Sequence, residues 1–260
     1  TYVFIGVIPL VLVVVLAGTV FWLLSGQFAA YVLKTRIDSI LRDLASVNTA
    51  VGVEIATDIE LGRATTGIQT PREPGWRTDA WVDGALVFSS DAGAIARPAF
   101  LKGTLVAVTE DQGQLYLRAT DMIQSTRGRL IVVSSRPLDA SMLSDLSRDL
   151  GEVTLYRGET GTDNLTPLYT MGSIPVPRRA FDLGVRLATS QPVIDWNTGQ
   201  PSHPAPLAIQ TRLSKLYEHA FSSLGGDLAP TLEFVLFLLL VALALFEGVA
   251  WYVGIRLTRS

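Results

Sequence analysis

RPLDASMLSDLSRDLGEVTLYRG, residues 136–158, holds a helix start, a helix stop and a strand start in one short run. Asp139 is placed to cap a helix, because its side chain can accept from the exposed N–H groups of the first turn. Met142, Leu143, Leu146 and Leu150 then fall on one face. Gly151 supplies the stop, and Val153 to Tyr156 resumes as a strand. Just upstream, Arg129 to Ser135 (RLIVVSS) has the pattern of a buried strand. Strand, short helix and strand on one antiparallel sheet make an α+β layer arrangement.

Working outward, Gly103 to Thr109 and Gln114 to Thr120 alternate around Glu110-Asp111-Gln112-Gly113, which predicts a hairpin. Ala80 to Ser89 is rich in β-formers. Upstream, Phe28, Tyr31, Val32, Ile37, Ile40, Leu41, Leu44, Val47 and Val51 recur at three- and four-residue steps. That spacing predicts a long amphipathic helix over 26–50. Downstream, residues 160–206 are rich in Gly, Pro, Asn and Ser, with Val193 to Trp196 reading as a short strand and Gly199 to Pro206 as a loop. Leu207 to Arg212 reads as the last strand. Residues 214–225 read as an exit helix. The sheet domain is expected over about 53–213.

The apolar content of the 260 residues lies mainly at the two ends. Tyr2 to Leu24 carries no charge, and residues 231–253 are interrupted chiefly by Glu233 and Glu247. Each is long enough for a helix across the hydrocarbon core of a bilayer, about 20 residues. Two transmembrane helices, 2–24 and 231–253, are therefore expected. Arg256 and Arg259 beside the second mark its cytoplasmic end. This places both termini in the cytoplasm and residues 25–230 in the periplasm or outside the cell, on an inner-membrane protein whose first partner is the lipid bilayer. Net charge is −3, from 21 basic and 24 acidic residues, which argues against a nucleic-acid binder. The absence of cysteine excludes disulfides, thiolate catalysis and Cys-based zinc sites.

A span, a long helix, an antiparallel sheet and a second span resemble the extracytoplasmic PAS-like (Cache-type) sensors of bacterial receptors. RPLDASMLSDLSRDLGEVTLY is similar to the strand–helix–strand of such sensors. ALFEGVAWYVGIRLTRS, residues 244–260, resembles the exit of a second span into a HAMP linker, which would start at 254–260. The whole layout resembles the front half of membrane-bound protein phosphatase 2C-type (SpoIIE-like) regulators, and also of sensor histidine kinases. The resemblance implies a homodimeric receptor that passes an outside signal through HAMP to a cytoplasmic effector, the phosphatase favoured and the kinase second. The rival expectation is a membrane-anchored periplasmic module that docks a protein partner and has no catalytic output.

No catalytic residues are expected within residues 1–260. The chain has no G-x-S-x-G, no P-loop and no dinucleotide fingerprint, and His203 and His219 lack ligand spacing. No metal and no cofactor are expected. By analogy with PAS-like sheets, which bind small molecules on one face with an aromatic and a charged anchor, the ligand candidates are Trp76, Arg77, Trp81, Tyr116, Arg118, Asp121 and Arg136. Tyr116 and Arg118 alternate on one strand and so share a face. The ligand would be a small molecule or a periplasmic protein. Glu247 lies inside the second apolar tract, about 13 Å along a helix from Arg256. With the small residues Ala244 and Gly248 beside it, it is the candidate for transmembrane signalling.

Overall fold

The computed structural model describes residues 2–68, 70, 75–91, 94–97, 99–101, 103–157, 165–177, 182–216, 218 and 248, the side chains of residues 2–29 and of Thr66 apart. The chain divides into two compact units. One comprises Thr1–Ala29, Pro175–Val185 and Thr211–Ser260, the other Ala30–Ile174 and Arg186–Gln210.

Helix α1 runs over Tyr2–Glu60. Ten strands follow among the described residues: β1 (Arg77–Val82), β2 (Ala85–Ser89), β3 (Leu105–Asp111), β4 (Gln114–Ser125), β5 (Gly128–Pro137), β6 (Glu152–Arg157), β7 (Thr166–Met171), β8 (Gly184–Gln191), β9 (Val193–Asp195) and β10 (Ala205–Arg212). Helix α2 (Ala140–Ser147) lies between β5 and β6. The strands form a six-stranded sheet ordered β2-β1-β5-β4-β3-β9 and a four-stranded sheet ordered β7-β6-β10-β8.

Two expectations are corrected. Among the described residues no helix is long and apolar enough to cross a membrane. Two flanking transmembrane helices are therefore not seen among the described residues, and the inner-membrane placement and inside–outside topology built on them are corrected to that extent. The described side chains of α1 bury one stripe, including Leu33, Ile37, Leu44 and Ile55, and leave Tyr31 and Val53 exposed. That stripe is the mark of a helix lying on a protein surface, as the spacing over 26–50 predicts, and α1 carries it on to Glu60. The second apolar tract, 231–253, lies outside the described residues except for Gly248. The α+β layering on one antiparallel sheet is corrected as well. Among the described residues ten strands stand against two α-helices, the strands lie in two sheets, and β9 joins β3 in parallel.

Short-range chemistry explains the strand pairings. Asp83 and Gly84 both have positive φ, 46° and 96°, and make the two-residue turn between β1 and β2. The β-rich stretch from Ala80 to Ser89 is therefore the greater part of a hairpin. Gln112 and Gly113, at 51° and 77°, do the same between β3 and β4, where Asp111 pairs with Gln114. Asp139 Oδ1 accepts from Met142 N at 3.0 Å and starts α2.

One face of the six-stranded sheet carries α1. Val51, Ile55 and Ile59 pack with Ala80, Phe88, Leu130 and Val132. Gly52 lets the helix approach, since a β-carbon there would sit 2.3 Å from Ile123 Cδ1. Buried Asn48 donates Nδ2 to Ala119 O at 2.6 Å, and Thr49 donates to Asp121 Oδ2 at 3.0 Å. Arg36 Nη1 donates to Leu146 O (3.0 Å) and Arg148 O (2.7 Å), satisfying carbonyls at the end of α2. The opposite face holds a second apolar cluster of Trp81, Ile95, Leu101, Ile131, Val133 and Trp196.

In the other unit, Asp182 accepts from Ser214 N (3.0 Å) and Ser214 Oγ (2.7 Å), where residues 213–216 are helical. Of the exit helix expected over 214–225, residues 217 and 219–225 lie outside the described residues.

Candidate functional site

The sheet face turned away from α1 changes character along the strands. Antiparallel partners and alternate residues share a face, so its side chains can be read in rows. Trp81, Ile131 and Met122 make an apolar row. Asp79, Val133, Thr120 and Leu105 make the next, followed by Arg77, Ser135, Arg118 and Ala107. Pro137, Tyr116 and Thr109 form the last.

Arg118 is the centre of the polar end. Its side chain is 3% exposed. Nη2 donates to Asp111 Oδ2 at 2.8 Å and Nε to Ser135 Oγ at 3.2 Å. Its guanidinium carbon lies 4.6 Å from the Tyr116 ring centroid and 4.2 Å from that of Trp196, both cation–π distances. Burial holds the guanidinium below its usual pKa range, and the nearby Arg77 charge acts in the same direction, while Asp111 opposes both. Arg118 Nη1 has no hydrogen-bond partner among the described residues, nor have Arg77 Nη2, Thr109 Oγ1 and Trp76 Nε1. A buried donor left without a partner costs about 1–3 kcal/mol; elsewhere in the chain Asn48 Oδ1, Ser125 Oγ and Gln191 Nε2 stand in the same condition.

The loop after β9 delivers Trp196. Asp195 Oδ1 accepts from Asn197 N (2.9 Å), Thr198 N (2.8 Å) and Thr198 Oγ1 (3.0 Å). The bonds from the Thr198 backbone and hydroxyl hold its carboxyl below the ordinary Asp range. Gly199 closes the turn at φ 71°, and a β-carbon on it would lie 2.5 Å from Phe100 Cδ2. Phe100 meets Trp196 edge-on at 6.0 Å, and Trp196 Nε1 donates to Ala96 O at 2.9 Å.

The ligand candidates read from the sequence divide between the two faces. Arg77, Tyr116 and Arg118 come together on the face away from α1. Trp81 shares that face, but it is buried in the apolar cluster and serves the core. Asp121 and Arg136 lie on the α1 face, because Asp121 pairs with Val132 and Arg136 with Leu117. Asp121 is bonded by Thr49, and Arg136 Nη2 donates to Asp145 of α2 at 2.9 Å. Trp76 is half-buried just before β1. Ala244, Glu247 and Arg256 lie outside the described residues. Gly248 is exposed, with nothing within 4 Å of a β-carbon built on it.

Sequence reasoning missed Thr109, Asp111, Ser135 and Trp196. Strand register brings the first three to Arg118 and no local pattern announces it. The run Asp195-Trp196-Asn197-Thr198-Gly199 is a turn signal that could have set Trp196 apart.

A concavity of about 530 Å³ lies on the four-stranded sheet and is lined by Tyr156, Leu165, Arg186, Pro206 and Ala208 among others. Its cation is engaged already, Arg186 Nη2 donating to Tyr156 Oη at 3.3 Å. Among the described residues no group of three or more His, Asp and Glu side chains is arranged to hold a metal ion.

Comparison with family models, curated proteins and solved structures finds no match to this chain.

Proposed function

We propose that the unit Ala30–Ile174 with Arg186–Gln210 is a sensing module. It binds a small molecule on the sheet face away from α1 and passes its occupancy to α1. The observation that carries this reading is Arg118, a nearly fully buried cation held against two aromatic rings with one nitrogen unpartnered. A purely structural arginine would be expected to satisfy all its nitrogens, because an unsatisfied buried donor is penalised. The route to α1 is short. Arg118 is followed by Ala119, whose carbonyl accepts from Asn48 of α1 through the other face of the sheet. A ligand biases α1 only if it binds two arrangements of this link with different affinity.

The test is a thermal-shift screen of the full 260-residue chain against a panel of amino acids, carboxylic acids, sugars, polyols and nucleosides. At least one class is expected to raise Tm, by about 2–4 °C at saturation for a millimolar ligand. The same class should shift less for Arg118→Lys, which keeps the charge and loses the planar fork. A panel without effect on the wild-type chain overturns the reading.

A further inference from the structure

We infer that β8 is the seam of a twofold dimer, in which a second copy of this chain adds its own β8 in antiparallel register centred on Leu187. The seam belongs to the four-stranded sheet and stands apart from the role proposed above for the six-stranded one.

The first argument is how the sheet edges are closed. An edge strand presents unpaired N–H and C=O groups that invite another strand, so folded chains blunt their edges. The six-stranded sheet ends in β2 and β9, the four-stranded sheet in β7 and β8. At β2, Thr65 Oγ1 donates to Val87 O at 2.7 Å. Strand β9 has three residues, and the returning chain occupies its edge: Asp195 N donates to Gln200 O at 2.9 Å and Ser202 N to Val193 O at 2.8 Å. Strand β7 contains Pro167 and pairs with β6 across a register shift. Strand β8 has none of these devices. It runs for eight residues without proline or lysine, and among the described residues no strand pairs with its outer side.

The second argument is what lies along that edge. Leu213 N donates to Leu183 O at 3.0 Å, where β8 and β10 begin to pair. A regular antiparallel ladder from there bonds the odd-numbered residues of β8 to β10 and turns the backbone of Gly184, Arg186, Ala188 and Ser190 outward. All four are exposed, and three of them are small, so another backbone can approach.

The third argument selects a second copy as the occupant, because β8 is complementary to itself. An isologous contact sets the same patch against itself about a twofold axis. With the axis at Leu187, Gly184 faces Ser190 and Arg186 faces Ala188, and about eight backbone hydrogen bonds form, two for each facing pair. Half-buried Leu187 meets its own copy at a non-hydrogen-bonded position, where side chains come closest. Arg186, the single charge of β8, meets a small neutral residue. An axis at Arg186 would instead set two guanidinium groups face to face, which like charges disfavour. Arg186 and Ala188 also line the concavity of about 530 Å³, so the concavities of the two copies adjoin at the seam.

Sedimentation equilibrium of the full chain across the micromolar range is expected to show monomer and dimer. Ala188→Lys, at an exposed position, sets a lysine opposite Arg186 of the other copy and is expected to weaken the dimer about tenfold. Ala188→Glu is expected to dimerise at least as tightly as wild type. Melting temperatures near that of wild type show that both variants fold. The chain has no cysteine, so one introduced thiol reports one position. Leu187→Cys is expected to cross-link two chains under mild oxidation, because facing non-hydrogen-bonded residues lie about 4.5 Å apart at Cα. Ser190→Cys is not, because its two copies lie about 20 Å apart along the seam. A chain that stays monomeric, a dimer that Ala188→Lys leaves unchanged, or cross-linking of Ser190→Cys in place of Leu187→Cys overturns the inference.

Discussion

At the scale of single residues, the polar end of the sheet is built from side chains that each do one stated job. Arg118 carries the charge, Asp111 and Ser135 hold one of its forks, and Trp196 and Tyr116 lie against it. Asp195 acts at one remove, by shaping the turn that presents Trp196. Its carboxyl lies below the ordinary Asp value because Thr198 donates to the ionised form. A depressed folded value contributes stability above the ordinary carboxylate range and loses it as pH falls through the folded value. Wild type is therefore expected to melt above Asp195→Asn at pH 7, with the gap closing as pH drops below about 4. Melting curves of both proteins from pH 7 to pH 3 check this. A gap that stays constant over that range shows that the charge of Asp195 contributes nothing.

At the scale of elements, α1 and the six-stranded sheet meet through shape as well as apolarity. Gly52 faces Ile123 and Val132, and a β-carbon would lie 2.3 Å and 3.2 Å from their side-chain atoms. Alanine would displace mainly the mobile end of Ile123, and it gains about 1 kcal/mol of helix propensity. Valine adds two branches that must enter packed space. Gly52→Val is expected to cost about 1–3 kcal/mol, read as a lower urea midpoint at unchanged m-value. A variant as stable as wild type would mean that the helix does not need this close approach. The long helix and the hairpins at Asp83-Gly84 and Gln112-Gly113 were legible in the sequence to different degrees. Apolar steps of three and four mark the helix, and an acidic turn ending in Gly marks the second hairpin. The first shows in the sequence only as a β-rich run, and its turn at Asp83-Gly84 is not marked out by composition. Strands β7 and β8 were not legible. They lie where Gly, Pro, Asn and Ser suggest loop, and pairing with neighbouring strands outweighs that weak local preference.

At the scale of the whole molecule, the question is how a site on one sheet face can be felt on the other. Asn48 is the link that the structure offers, buried and bonded to the carbonyl beside Arg118. Asn48→Ala removes the amide that bonds this carbonyl from the α1 side, while the carbonyl keeps its place in the ladder between β3 and β5. It is expected to lower stability by about 0.5–1.5 kcal/mol and to weaken the response of α1 amides to a ligand bound on the sheet face away from α1. Hydrogen exchange of wild type and variant, with and without a small molecule from the panel that raises Tm, reads both effects. Undiminished protection of α1 in the variant would show that the signal does not pass through Asn48.

Much of this molecule follows from neighbours in sequence. Helix periodicity, the Asp139 cap and the acidic turn before Gly113 depend on residues within a few positions of one another, where sterics and local hydrogen bonds dominate. Arg118 and Tyr116 share a face for the same reason, the two-residue repeat of an extended chain. Tertiary structure alone set the rest. Which ligand candidates meet depends on register across β1, β5, β4 and β3, and register turned Asp121 and Arg136 to the α1 face. Trp196 reaches Arg118 only because β9 pairs with β3 from far along the chain. The apolar tract of α1 satisfies a length rule for bilayers, yet no described helix meets the requirement for a span. Hydropathy states what a segment can bury against, and packing decides what it does bury against.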